Sequence, residues 1–201
     1  GDVGITSLEL FAALSGASEN EITVRYATAD GTARAGSDYQ AQSGMLRFAS
    51  GVVEQVVRVP IVGDRLFALD EWFALDLNDA EGASIERSRA IGTIVNDDAL
   101  PRLTVHDASI DEGDSGSRSL VFEVTLSSGS EEDVRVEFAT ADQTAEGTSD
   151  YTPVVGRVSF AAGETTAQVQ VQVLGDTLFE ENETFLVQLN GAQGTSIERG
   201  V

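Results

Sequence analysis

The sequence predicts an all-β protein made of two tandem antiparallel sandwiches of seven strands each. Two observations support this. Apolar and polar residues alternate in short runs, and residues 1–89 align without a gap on residues 113–201. A repeat of this length is too long for one turn of a solenoid and suits an independent domain with its own core. We therefore place the first domain at residues 1–98 and the second at residues 99–201.

The strands follow from the alternation, which buries one face of each strand and leaves the other in water. Val169, Val171 and Val173, for example, are separated by glutamines. Turn residues separate the runs at intervals of roughly 8–12 residues, as in a sandwich. With the strands named A to G, the first copy supplies B to G, ending with a strand at 90–95. The second copy supplies A to F, beginning with a strand at 103–108.

The junction between the copies is short. Residues 96–102 form a linker that Pro101 stiffens. The first copy lacks strand A and the second lacks strand G, so we expect each to leave an unpaired sheet edge.

Composition narrows the possible partners. The chain carries 34 acidic and 12 basic residues, a net charge of −22, which would repel nucleic acid and anionic lipid. A cation ligand is compatible with this charge. The absence of cysteine excludes a disulfide framework and a thiolate metal site. No apolar run reaches the length of a membrane span and no signal peptide is visible, so we expect a soluble piece of a longer protein that does not insert into a membrane.

The acidic residues concentrate where a sandwich brings its loops together. Alternate loops lie at opposite ends, so the A–B, C–D and E–F loops and the end of strand G share one pole. The carboxylates at that pole are, in the first copy, Asp38, Asp64, Asp97 and Asp98, and in the second copy Glu112, Asp150, Asp176 and Glu180.

A shared pole of carboxylates predicts a bound cation, because like charges this close would otherwise repel one another and raise their pKa values. Several oxygen ligands from flexible loops suit Ca²⁺ better than Mg²⁺ or a transition metal. The competing interpretation is that aspartate and glycine are simply good turn residues. Turn chemistry accounts for Asp30 and Gly31, but less well for Asp38 and Asp64 recurring at Asp150 and Asp176.

At these positions the chain resembles the Calx-beta domain family. The resemblance covers nearly the whole chain and rests on Asp30-Gly31-Thr32-Ala33, Ser37-Asp38-Tyr39, Phe48 with Gly51, Val62-Gly63-Asp64, Asp70-Glu71 with Phe73, and Ile91-Gly92-Thr93-Ile94-Val95-Asn96-Asp97-Asp98. It implies a seven-stranded immunoglobulin-like sandwich that often binds calcium at the pole described above.

The resemblance maps the ligands onto the same residues, with two departures. Ala68 stands where the family often has a glutamate and where the second copy has Glu180. The A–B glutamate of the first copy would precede Gly1, and the terminal aspartates of the second would follow Val201. We therefore expect both sites to be incomplete.

Catalysis is not expected. His106 is the only histidine, and no nucleophile motif accompanies it. A compact sandwich offers no cleft for a pair of glycosidase carboxylates. Trp72 replaces the Thr184 of the second copy, and we interpret it as a partly exposed strand residue, with a sugar-stacking platform as the alternative.

Function follows as an expectation. The chain is interpreted as a calcium-binding adhesion or structural repeat of a larger secreted or cell-surface protein, of bacterial origin, in which calcium stiffens the joint between the domains. Other protein modules or surface glycans are further expected partners. Two alternatives stay open. One is a regulatory calcium sensor attached to a membrane transporter, and the other is a non-catalytic module that binds carbohydrate or protein.

Overall fold

The computed structural model describes residues 3–199 of the chain, and that part contains strands and no helix. No helix long and apolar enough to span a membrane is therefore found among the described residues. The chain divides into two compact units, Gly1–Asp98 and Ala99–Val201. The all-β fold of tandem antiparallel sandwiches predicted from the sequence is confirmed.

The described part of unit 1 contains six strands in two sheets. β1 and β4 form a two-stranded sheet, and the other sheet has the order β3-β2-β5-β6. These strands are the predicted B to G: β1 (Gly4–Ala13), β2 (Ile22–Asp30), β3 (Ser43–Phe48), β4 (Glu54–Gly63), β5 (Glu71–Glu81) and β6 (Arg89–Ile94). Within the described residues β1 pairs only with β4, which leaves its other edge open as expected.

Unit 2 repeats this plan with an added strand at the start. Its sheets have the orders β11-β8-β7-β13 and β10-β9-β12. The first six strands are the predicted A to F: β7 (Arg102–Val105), β8 (Gly116–Leu126), β9 (Val134–Asp142), β10 (Val155–Phe160), β11 (Thr166–Gly175) and β12 (Phe185–Gln193). β7 ends three residues before the predicted 108, because its ladder with β8 stops at Val105.

The last strand, β13 (Ser196–Arg199), was not predicted. It is not the counterpart of β6, since it pairs in parallel with β7 whereas β6 pairs antiparallel with β5. The same four residues occur at 84–87 in unit 1, where they lie in the bend before β6. In unit 2 they meet an available edge on β7, a strand for which the described part of unit 1 has no equivalent. The partner therefore decides the structure of this segment.

The core of each unit lies between its two sheets and uses the predicted alternation. Val169 and Val171 on β11 are almost completely buried, and the adjacent Gln168 and Gln170 are exposed. The corresponding strand β4 buries Val57 and Val59. Inward-facing side chains from two sheets packed in this way form the hydrophobic core of a sandwich.

A buried tyrosine anchors the C–D loop of unit 1. Tyr39 is 1% exposed, and its ring stacks on Phe73 with the ring centroids 4.5 Å apart. Its hydroxyl donates to Asp30 Oδ1 at 2.6 Å, and the Ala35 backbone N–H donates to the same oxygen at 2.9 Å. Burial and the bond to Asp30 raise the pKa of Tyr39 to about 12. Asp30 therefore holds the loop in place.

Unit 2 has the same anchor. Tyr151 is also 1% exposed, stacks on Phe185 at a centroid distance of 4.3 Å and donates to Asp142 Oδ1 at 2.6 Å. The Gly147 backbone N–H donates to that oxygen at 2.9 Å.

The C–D loops differ at one strained position. Gly36 in unit 1 has φ +105°, and its counterpart Thr148 in unit 2 has φ +83°. In both loops the N–H of this residue donates to the carbonyl of the anchoring tyrosine, Tyr39 at 2.8 Å and Tyr151 at 2.7 Å. Glycine adopts this conformation freely, whereas a β-branched residue is strained there.

We expect Thr148→Gly to stabilise unit 2. Relief of backbone strain of about 1–2 kcal/mol outweighs the extra entropy of glycine in the unfolded chain, for a net gain of about 1 kcal/mol. The reverse change, Gly36→Thr, should destabilise unit 1 by a similar amount through backbone strain. A steric clash should not add to this cost, because a Cβ at Gly36 meets no atom within 4 Å. Denaturant unfolding followed by circular dichroism measures both. Destabilisation by Thr148→Gly would show that the loop depends on the threonine side chain.

Candidate metal centres

The candidate centre of unit 1 is formed by Asp38 and Glu71, whose carboxylate oxygens lie within 4.8 Å of one another. Asp38 is 8% exposed and precedes the anchoring tyrosine. One of its oxygens accepts the Arg34 backbone N–H at 2.6 Å. Its backbone carbonyl accepts the Val62 N–H at 2.9 Å, which ties the C–D loop to the end of β4. Burial and then the negative charge of Asp38 raise the pKa of Glu71.

Asp64 lies in the E–F loop, within electrostatic range of this centre, but it is not in the group of carboxylates whose oxygens lie within 4.8 Å of one another. The Leu66 backbone N–H donates to Asp64 Oδ1 at 2.6 Å and closes the turn that follows β4. The negative charge of Asp64 also raises the pKa of Glu71, although less than burial and Asp38 do. The C–D loop, the E–F loop and the first residue of β5 thus bring their carboxylates to one end of unit 1.

Asp97 and Asp98 follow β6 near this end of the sheet, because the β5–β6 register places Ile94 opposite Glu71. The backbone N–H of Asp98 donates to Asn96 Oδ1 at 3.2 Å, and Asn96 Nδ2 donates to the Asp98 carbonyl at 2.9 Å. Among the described residues, neither Asp97 nor Asp98 belongs to the group of carboxylates whose oxygens lie within 4.8 Å of those of Asp38 and Glu71.

Unit 2 gathers a larger set of carboxylates. Oxygens of Asp150, Glu180 and Glu183 lie within 4.8 Å of one another. Asp150 is held as Asp38 is, since the Glu146 N–H donates to its carboxylate at 2.7 Å and the Leu174 N–H donates to its carbonyl at 2.8 Å.

Electrostatics connects the other predicted residues of unit 2 to this group. Desolvation, followed by the charges of Asp150, Asp176 and Glu112, raises the pKa of Glu180. Desolvation, a hydrogen bond with Asp150 and the charges of Asp150, Glu180 and Glu112 raise the pKa of Glu183. Asp150, Asp176 and Glu112 therefore lie within electrostatic range of Glu180, and of these three only Asp150 belongs to the group within 4.8 Å.

The A–B loop reaches this pole because Gly175 has no side chain. A Cβ on Gly175 would lie 2.7 Å from the Glu112 carbonyl oxygen and would also contact the Gly113 carbonyl oxygen. The loop that carries Glu112 therefore passes directly over the residue before Asp176.

Glu71 and Glu183 were missed as ligands in the sequence analysis. Both occupy the same position in the repeat, two residues before a phenylalanine at the start of strand F. That recurrence is the same signal that identified Asp38 and Asp150, and it was available for these two glutamates.

The donor set suits a calcium ion. All the gathered donors are carboxylate oxygens on loops and strand ends, which is the chemistry that Ca²⁺ selects. Desolvation and then the charges of neighbouring carboxylates raise the pKa values of Glu71, Glu180 and Glu183, and a divalent cation would relieve the repulsion between these charges. His106 lies elsewhere in unit 2, and its Nε2 is 2.9 Å from Thr125 Oγ1.

Trp72 is a partly exposed strand residue, 39% exposed, whose indole lies against Gly31. A Cβ on Gly31 would be 2.5 Å from a carbon of the indole. The second copy has Gln143 and Thr184 at these two positions, where the Thr184 hydroxyl donates to Gln143 Oε1 at 3.1 Å. The tryptophan and the glycine therefore form a matched pair.

Comparison with known proteins agrees with this architecture. The Calx-beta domain matches residues 4–99 and again residues 96–198. Sodium/calcium exchanger 2 of Rattus norvegicus is 28% identical over 196 residues, covering 89% of this chain and 21% of the exchanger. Sodium/calcium exchanger Calx of Drosophila melanogaster is 29% identical over 168 residues, covering 83% of this chain and 18% of the exchanger. This chain spans about a fifth of the length of these relatives.

Solved structures similar to the chain include the crystal structure of CBD12 from CALX1.2. It is 27% identical, covers 93% of this chain and 74% of that chain, and has a TM-score of 0.45. The Apo-form Calx CBD1 domain is 32% identical, covers 46% of this chain and 83% of that chain, and has a TM-score of 0.44.

Two expectations from the sequence are wrong. The chain was interpreted as an adhesion or structural repeat of a secreted or cell-surface protein, but the relatives it matches are sodium/calcium exchangers, which are transporters. The extracellular localisation is wrong for the same reason. Tandem acidic modules without cysteine are compatible with either role, so composition could not distinguish them.

The resemblance that rested on scattered motifs is confirmed over both copies, and calcium as the ligand agrees with it. With the family matched on almost every described residue of each unit, this chain belongs to the Calx-beta domain family and contains two tandem copies of that domain.

Proposed function

We propose that this chain is a calcium-sensing regulatory part of a membrane transporter of the sodium/calcium exchanger type. The observation that carries the proposal is that each Calx-beta unit has carboxylates close together at one pole, at corresponding positions of the repeat. The similarity to two exchangers over more than four fifths of the chain supports the type of parent protein. The chain itself would carry no catalytic activity.

In unit 1, Asp38, Asp64 and Glu71 would hold the ion, together with Asp97 and Asp98. In unit 2, Glu112, Asp150, Asp176, Glu180 and Glu183 would do so. The bound ion would neutralise the negative charge of these carboxylates.

The chain's own residues determine which parts respond. The buried tyrosines fix the C–D loops, so Asp38 and Asp150 are held before any ion arrives. The E–F loop of unit 2 has no comparable anchor among the described residues, because Asp176, Leu178 and Glu180 are exposed. Calcium that neutralises the carboxylates of unit 2 would therefore draw the E–F loop towards the fixed Asp150. A sensor of this kind would respond at about 10⁻⁷–10⁻⁵ M calcium.

We expect calcium to stabilise both units of the chain. Asp38→Asn should remove the calcium-dependent stabilisation of unit 1, and Asp150→Asn should remove that of unit 2. Free calcium at 100 times the dissociation constant stabilises a folded domain by about 2.7 kcal/mol. Asparagine retains an oxygen for the N–H of Arg34 or Glu146, so the loop itself should persist. Calorimetric titration and thermal melting measure both effects.

The matched control is Asp79→Asn, which removes the same charge near the opposite end of β5. It should leave calcium binding unchanged. Parent protein that neither binds calcium nor gains stability at millimolar concentration would contradict the proposal.

We also expect calcium-free unit 2 to lose stability as the pH rises above about 4.5. Because folding raises the pKa of Glu180 and Glu183 from 4.5, protonation stabilises the folded unit below that value. This stabilisation is lost as the pH rises through the raised pKa. Glu183→Gln should therefore raise the melting temperature at pH 7 without calcium and weaken calcium binding.

Glu181→Gln removes the same charge from the same loop and serves as the control. Melting curves between pH 4 and 7.5 in calcium-free buffer compare the variants. If Glu183→Gln and the parent lose stability in parallel over this range, repulsion at the pole is not the cause.

A further inference from the structure

The peptide bond that follows the candidate ligand Glu71 is held by the C–D loop. The backbone N–H of Trp72 donates to Thr32 Oγ1 at 3.0 Å, and the Trp72 carbonyl accepts the backbone N–H of Ala33 at 3.0 Å. Ala33 is completely buried, so this part of the loop is fixed to the core. The start of β5 is therefore attached to the loop at two points, both on the residue after Glu71.

These two bonds begin where the ladder between β2 and β5 ends. The register of the two strands runs to Asp30 opposite Phe73, and beyond Asp30 the chain leaves the sheet to form the C–D loop. The N–H of Trp72 would then lack a backbone acceptor on β2. The Thr32 hydroxyl supplies an acceptor in its place, as backbone N–H groups in folded proteins require.

The same loop carries the other carboxylate of the centre. Asp38 follows Thr32 in the C–D loop, and its carboxylate accepts the Arg34 backbone N–H at 2.6 Å. Asp38 and Glu71 belong to different elements, yet their carboxylate oxygens lie within 4.8 Å of one another. One loop thus fixes Asp38 through its own backbone and holds the backbone beside Glu71 through Thr32.

Unit 2 has the same contact at the corresponding residues. The N–H of Thr184, which follows Glu183, donates to Thr144 Oγ1 at 2.8 Å, and the Thr184 carbonyl accepts the Ala145 N–H at 3.0 Å. The neighbouring side chains differ between the two copies, as described above for Trp72. The threonine hydroxyl and its bond to the residue after the glutamate recur in both.

We propose that Thr32 and Thr144 are positioning residues for a bound calcium ion. Each hydroxyl holds the backbone beside the strand F glutamate of its unit, so that this carboxylate lies close to the aspartate of the C–D loop before calcium arrives. The threonines do not coordinate the ion themselves. This inference rests on the proposed function, because it concerns the residues that would bind the ion there.

The expected effect on affinity follows from the cost of ordering the chain. A hydrogen bond that keeps a segment in its binding-competent position removes the need to order that segment on binding. The conformational freedom of one residue, or the net contribution of one hydrogen bond, corresponds to a change of about three- to tenfold in a dissociation constant. Loss of the threonine hydroxyl should therefore weaken calcium binding by about this factor and leave the fold intact.

The test measures calcium binding by calorimetry in the full chain carrying Asp150→Asn, so that unit 1 is the unit titrated. There Thr32→Val, which keeps the shape of the side chain, should raise the dissociation constant about three- to tenfold. Thr32→Ser retains the hydroxyl and should bind as the parent does. Ser18→Ala is the matched control. It removes a hydroxyl that accepts the Asn20 N–H at 3.1 Å in the turn before β2, at the other end of that strand, and should leave the dissociation constant unchanged.

A calcium-free measurement tests the hydrogen bond itself. Amide hydrogen exchange followed by nuclear magnetic resonance should show faster exchange of the Trp72 N–H in Thr32→Val than in the parent or in Thr32→Ser. Circular dichroism checks that each variant is folded. Thr144→Val repeats the comparison in unit 2, with the Thr184 N–H as the probe and with Asp38→Asn to remove calcium binding by unit 1.

Two results would overturn the inference while leaving calcium binding intact. One is a parental dissociation constant in Thr32→Val, or an equal loss of affinity in Ser18→Ala. The other is exchange of the Trp72 N–H that the loss of the Thr32 hydroxyl does not change. Calorimetry that detects no binding to the parent chain would overturn the proposed function and this inference together.

Discussion

The hydrogen bond from a buried tyrosine hydroxyl to an aspartate at the end of strand C fixes the loop that carries the first candidate ligand of each unit. Tyr39 and Tyr151 fill the core, and their hydroxyls need an acceptor there, which Asp30 and Asp142 supply at 2.6 Å. The residue before each tyrosine is a ligand candidate, Asp38 or Asp150. A side chain fixed in the core therefore places a carboxylate at the surface pole with little freedom to move.

Around this fixed point the pole is electrostatically unfavourable. Desolvation and then neighbouring carboxylates oppose the ionisation of Glu71, Glu180 and Glu183 and raise their pKa values. A bound divalent cation would relieve this repulsion, whether the pole serves a structural or a regulatory role.

Similarity to sodium/calcium exchangers changed the functional interpretation of the two carboxylate poles. An acidic pole that stiffens a joint and an acidic pole that senses calcium need similar ligands, so carboxylate positions alone could not separate an adhesion repeat from a transporter's regulatory part. Similarity to two sodium/calcium exchangers over most of the tandem pair favours the regulatory interpretation that we propose.

The sequence by itself determined the two sandwiches, their strands B to G and A to F, and the pole at which Asp38, Asp64, Asp150 and Asp176 lie. These features follow from local alternation and from the internal repeat, both of which are visible without coordinates. Tertiary structure alone decided how close the carboxylates come, because distances between loops depend on the path of the chain through the core. It also drew attention to Glu71 and Glu183, whose recurrence in the repeat the sequence analysis had not used. It also made residues 196–199 a strand while the identical residues at 84–87 form a bend, since an available partner strand, and not the residues themselves, completes a β-ladder.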